Sequence, residues 1–91
     1  MKDIIVGRVA DVIDAETITL EVTQIVRNQN DKYGLQEKIR FKTLQHKLRT
    51  YGKIRTKGFV EALLKGNGVM CLVIGRDAHG SIEADVYALG H

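Results

Sequence analysis

Apolar and polar residues alternate with a period of two along much of this chain, the pattern of half-buried strands. A first strand is predicted over residues 4–13 and a second over residues 16–27, where Ile18, Leu20 and Val22 alternate with Thr19 and Glu21. The turn formers Asn28-Gln29-Asn30-Asp31-Lys32-Tyr33-Gly34 then predict a hairpin into a third strand. In that strand Leu35, Glu37, Ile39, Phe41 and Thr43 share one mostly buried face, while Lys38, Arg40 and Lys42 share the other. From Gln45 to Lys53 the period breaks, which reads as a loop ending near Gly52. Helical spacing follows, with Phe59/Leu63 and Val60/Leu64 as i, i+4 pairs, Lys65 in the last turn, and Gly66 and Gly68 as the stop. The run Val69-Met70-Cys71-Leu72-Val73-Ile74-Gly75 is too short for a helix and reads as a buried central strand. After a turn over residues 76–80, Ile82, Ala84, Val86 and Ala88 alternate with Glu83, Asp85 and Tyr87. The order β-β-β-α-β-β predicts a mainly β protein, a five-stranded closed barrel of OB type with one helix after the third strand, because closure removes exposed edges.

Composition narrows this little. Ninety-one residues with 44% hydrophobic and 27% charged side chains make a single globular domain, residues 1–91. No apolar run approaches the roughly 18 residues that span a bilayer, and the chain shows no signal peptide, so the expected location is the cytoplasm, away from membranes. Cys71 is the only cysteine, which excludes an internal disulfide and suits that compartment. The net charge of +3 is permissive of a polyanionic partner. Its distribution says more. Between residues 38 and 57 there are eight Lys or Arg residues, His46, and no carboxylate. This is folded chain carrying a field of one sign, with Tyr51 inside it.

Two carboxylates, Asp14 and Glu16, stand at i and i+2 in the turn between the first two strands. They read either as caps of that turn or as part of a metal site. His46 and Lys47 read as surface groups, with a base and its electrostatic partner as the alternative. His79 and His91 lack ligand spacing, and Cys71 in its apolar strand reads as a small buried hydrophobe.

Four segments, in order, resemble the staphylococcal nuclease-like (thermonuclease) family. They are VADVIDAETITL, EKIRFKTLQHKL, TKGFVEALLKGNGVMCLVIG and RDAHGSIEADVYALG. They are similar to the family's valine-rich strand ending in Ile-Asp-Gly-Asp-Thr, its arginine-bearing third strand, its amphipathic helix with the following strand, and its Asp-x-Tyr-Gly-Arg signature. The resemblance implies an OB barrel and, in active members, phosphodiester cleavage with Ca²⁺, two arginines and a glutamate. Arg40 matches the first arginine, Asp14 the first acid, and Glu16 a calcium ligand. Gln45 stands in place of a second ligand aspartate, Lys47 of a proline, Leu48 of the glutamate, His79 of the signature tyrosine, and Ser81 of the second arginine. Leucine neither positions nor deprotonates water, and serine does not neutralise charge developing on a phosphate. Ca²⁺ asks for roughly six to eight oxygens.

The resulting expectation is a nuclease-like domain without catalysis, in which Arg40 is vestigial and Asp14 and Glu16 are the remnant of a metal turn. No cofactor is expected, and Ca²⁺ binds only if that remnant persists. Lys38, Arg40, Lys42, Lys47, Arg49, Tyr51 and Lys53 are the candidate contacts to single-stranded or flexible nucleic acid. The alternatives are a protein-interaction module, with a protein partner or a homo-oligomer, and a diverged nuclease using Glu16, Arg40 and His46.

Overall fold

The hairpin that opens the chain turns because Asp14 bends it. The backbone N–H of Glu16 donates to Asp14 Oδ1 at 2.8 Å, closing the turn between β1 (Ile4–Asp14) and β2 (Thr17–Arg27). In the computed structural model, which describes residues 2–46, 49–51 and 56–89, these strands are followed by β3 (Gln36–His46) and a short β4 (Arg49–Tyr51). The single helix α1 (Lys57–Leu64) leads into β5 (Gly68–Arg76) and β6 (Ile82–Ala88). The sheet order is β2-β1-β5-β6-β3-β4, and an added β2–β3 pairing joins the two sides. Five long strands therefore close into an OB-like barrel, with β4 appended to the end of β3. Closure leaves the β3–β6 pair parallel and the other pairs antiparallel.

Inward residues of every long strand fill the barrel: Ile5 and Val9, Ile18 and Leu20, Ile39 and Leu44, Val69 and Cys71, Ile82 and Val86. Thr56 caps α1, its side chain accepting from the N–H of Phe59. The helix turns Val60 and Leu64 into the core, and Gly66, at φ +80°, turns the chain out of it. Only glycine adopts that angle without strain. Gly68 already belongs to β5.

The structure changes the sequence reading in four places. Gln45 and His46 continue β3, and Arg49–Tyr51 forms β4 against it, where a loop was expected. The cause is a register shift between Phe41 and Thr43 that reverses the alternation. Leu44 then points into the core and Thr43 outward, where its hydroxyl donates to Asp85 Oδ1 at 2.8 Å. Thr43 is thus not on the buried face. Leu35, also assigned to that face, precedes the strand and is 84% exposed. Finally, β5 lies centrally between β1 and β6, but only Val69, Cys71 and Val73 are buried; Met70 and Leu72 are half-buried on its outer side.

A polar knot pins residues 28–34 to one end of the barrel. The buried Asp3 carboxylate accepts from the backbone N–H groups of Gln29, Asn30 and Asp31 and from the Tyr33 hydroxyl, the last at 2.6 Å. Beside it, Arg76 donates to Asp31 at 2.9 Å, to Glu37 at 3.2 Å and to the carbonyls of Gly80 and Lys32. This satisfies Glu37, the one acid among the residues assigned to the inner face of β3.

Candidate nucleic-acid interface

Alternation along β3 sends Ile39 and Phe41 inward and leaves Lys38, Arg40 and Lys42 exposed. Consecutive outward side chains on a strand stand ~7 Å apart. The register adds what the sequence hides. Lys38 lies opposite Thr19 and Arg40 opposite Thr17, while Ile18 meets Ile39 in the core. The β2 side of the basic strip is thus lined by uncharged hydroxyls, which accept or donate hydrogen bonds without cancelling the field. On the other side the register sets Glu83 beside Arg40 and Asp85 beside Thr43. The absence of acids along residues 38–57 does not hold in space, because β6 supplies them. The positive face therefore opens toward the middle of β2, between the acids of β6 and those of the β1–β2 turn, Asp14 and Glu16.

At its upper end the strip borders an open cleft of about 320 Å³, lined by Asp14, Glu16, Thr17, Lys38, Arg40, Asp77, His79 and Ser81, with Ile13. Arg40 Nη1 lies 3.9 Å from Asp77 Oδ2. Asp77 holds the β5–β6 turn: its Oδ1 accepts from the N–H groups of His79 and Ser81, both at 2.9 Å. Desolvation disfavours its charge, but those amides and the nearby His79 and Arg40 outweigh this and hold its carboxyl below the usual range. Spacing alone places Asp77 in a turn; its position beside Arg40 comes from a strand pairing that spacing does not reveal.

The expected site residues divide into two groups. Asp14, Glu16, Arg40, His79 and Ser81 line this cleft together. Asp14 spends one oxygen on the turn, which answers to the capping role. Among the described residues no group of three or more His, Cys, Asp or Glu side chains gathers as a metal site. Gln45 and His46 do not line the cleft; they sit at the far end of β3, about 17–20 Å along the strand from Arg40, opposite Tyr87 and Ala88. Glu16, Arg40 and His46 are not brought together. Arg49 is exposed on β4, whereas Tyr51 is half-buried against the core, its ring 5.1 Å from that of Phe59 at 57°. Lys47, Leu48 and Lys53 lie outside the described residues.

Comparison with protein-family models, with curated proteins and with solved structures finds no match to this chain.

Proposed function

We propose that this protein is a non-catalytic relative of the staphylococcal nuclease-like family that binds single-stranded or flexible nucleic acid through its phosphates. The observation that carries the reading is the outward row Lys38, Arg40 and Lys42, with Thr19 opposite Lys38 and Thr17 opposite Arg40 on β2. Backbone contacts dominate, since Tyr51 leans on Phe59 instead of standing free for a base. The lack of catalysis rests on Leu48 and Ser81 at positions where the family carries a glutamate and an arginine.

Fluorescence anisotropy with a labelled oligonucleotide tests this. Three phosphate contacts give a slope of about −2 in log affinity against log salt, so a fourfold rise in salt weakens binding roughly 20-fold. Lys38→Glu with Lys42→Glu abolishes most of that dependence, whereas Lys2→Glu with Lys65→Glu leaves it close to wild type. All four side chains are exposed, so the fold tolerates both pairs. No binding at low salt, or equal effects of the two pairs, refutes the reading and favours an interaction module. A second reading draws on the meeting of Asp14, Glu16 and Arg40 in one cleft: a diverged metal-dependent nuclease. Metal-dependent cleavage of the same oligonucleotide, lost in Arg40→Ala, is the outcome that establishes it.

A further inference from the structure

The cleft that ends the basic strip is not itself basic. Asp14 and Glu16 of the β1–β2 turn and Asp77 of the β5–β6 turn share it with Lys38 and Arg40 of β3, and His79 lines it with them. Three carboxylates thus stand against two fixed cations. The register sets a fourth carboxylate, Glu83 of β6, beside Arg40. Arg76, which opens the β5–β6 turn, is already held by Asp31, Glu37 and the Gly80 carbonyl. A phosphate that follows the strip from Lys42 toward Lys38 therefore meets its least favourable field at this cleft.

His79 is the group that changes this balance. Ordinary carboxylate, ammonium and guanidinium groups keep their charge between about pH 5.5 and about pH 8, whereas imidazole gains or loses its own there. Asp77 stays ionised throughout. Against the desolvation that disfavours its charge, the amides of Ser81 and His79 and the charges of His79 and Arg40 hold its carboxyl low. Its Oδ2 lies 3.9 Å from Arg40 Nη1, so it competes with a phosphate for that guanidinium. The backbone N–H of His79 donates to Oδ1 of the same carboxylate at 2.9 Å, which keeps this exposed residue beside it. A proton on His79 then acts twice: it adds a cation to the cleft, and it offsets Asp77, which leaves Arg40 free for phosphate.

We infer that His79 is a protonation-dependent phosphate contact, through which the strip binds nucleic acid more tightly as the pH falls through the imidazole range. This rests on the proposed reading of Lys38, Arg40 and Lys42, and deepens it. Fluorescence anisotropy with an oligothymidylate that lacks a terminal phosphate tests it at about pH 5.5 and about pH 8, with EDTA present. Neither thymine nor a phosphodiester titrates in that interval, so a change in affinity belongs to the protein. One charge gained at contact distance in water is worth a factor of about five at low salt. The slope of log affinity against log salt steepens by about 0.7 at the lower pH. His79→Gln removes both effects and holds the affinity near its higher-pH value. His79→Lys carries a fixed cation and holds it near the lower-pH value at both. His46→Gln, at the far end of β3, retains the pH dependence. Circular dichroism at both pH values checks that each variant folds. Wild-type affinities within about twofold of each other overturn the inference and leave the strip in place. A pH dependence that survives His79→Gln, or disappears in His46→Gln, does the same. No binding at either pH overturns this inference together with the proposed function.

Discussion

Adding one methyl group to this protein has opposite effects at two glycines. Gly7 is buried in β1 where the register with β2 shifts between Val6 and Gly7. A Cβ there would stand 2.3 Å from the carbonyl oxygen of Glu21 and 2.9 Å from Leu20 Cγ. The first neighbour is backbone and does not swing aside, so β1 and β2 must part by about an ångström. Overpacking of this kind costs ~1–3 kcal/mol. Restricting the unfolded chain returns ~0.4–1 kcal/mol, leaving Gly7→Ala destabilising by roughly 1–2 kcal/mol. For a domain of this size that lowers the thermal midpoint by about 5–15 °C. Gly58, in the first turn of α1, has nothing within 4 Å of the same built atom. There alanine improves helix propensity by ~0.5–1 kcal/mol and raises the midpoint by about 2–8 °C. Thermal unfolding followed by circular dichroism reads both. A Gly7→Ala midpoint at or above wild type, or shifts of the same sign in the two variants, refutes the close approach of β1 to β2.

Two further outcomes concern buried groups. Burial works against the charged form of Asp3, but the Tyr33 hydroxyl and the amides of Asn30, Gln29 and Asp31 prevail and hold its carboxyl below the usual 3.8. A depressed folded-state value contributes stability above pH 3.8 that is lost as pH falls through the lowered value. The thermal midpoint should therefore hold from neutrality to about pH 5 and drop at lower pH. Asp3→Asn should lower it at pH 7 and flatten the acid limb; an unchanged acid limb contradicts the network. Burial pushes the Cys71 thiol up to about 12, so iodoacetamide should leave the native protein unmodified and label it once urea unfolds it. Native labelling at the unfolded rate contradicts that placement.

Much of the barrel was legible because its strands alternate. Ile18 and Leu20 against Thr17 and Thr19, or Ile82, Ala84 and Val86 against Glu83 and Asp85, state which side faces the core. Lys38, Arg40 and Lys42 read as one outward row for the same reason. What local spacing does not encode is the shift at Lys42, which inverts Thr43 and Leu44 and turns an apparent loop into paired strand. Nor does it encode which strands become neighbours. Asp77 meets Arg40, and Glu83 and Asp85 border β3, only through long-range pairing. Local spacing likewise does not state that Asp14 and Glu16 share a cleft with Arg40, or that Gln45 and His46 lie at the far end of the same strand.

Strand β3 is bonded to β2, β4 and β6, and its parallel pairing with β6 joins Ile39 to Ile82 across nearly half the chain. Contacts so distant in sequence form only after much loop entropy has been lost, so closing the barrel belongs to the slow, global part of folding. The basic row is carried by the strand that performs this closure. The row is oriented by the β2–β3 and β3–β6 pairings together, so a ligand bound across it favours the closed barrel. Occupancy of the strip is thereby linked to the stability of the whole molecule, not to the ordering of a local loop.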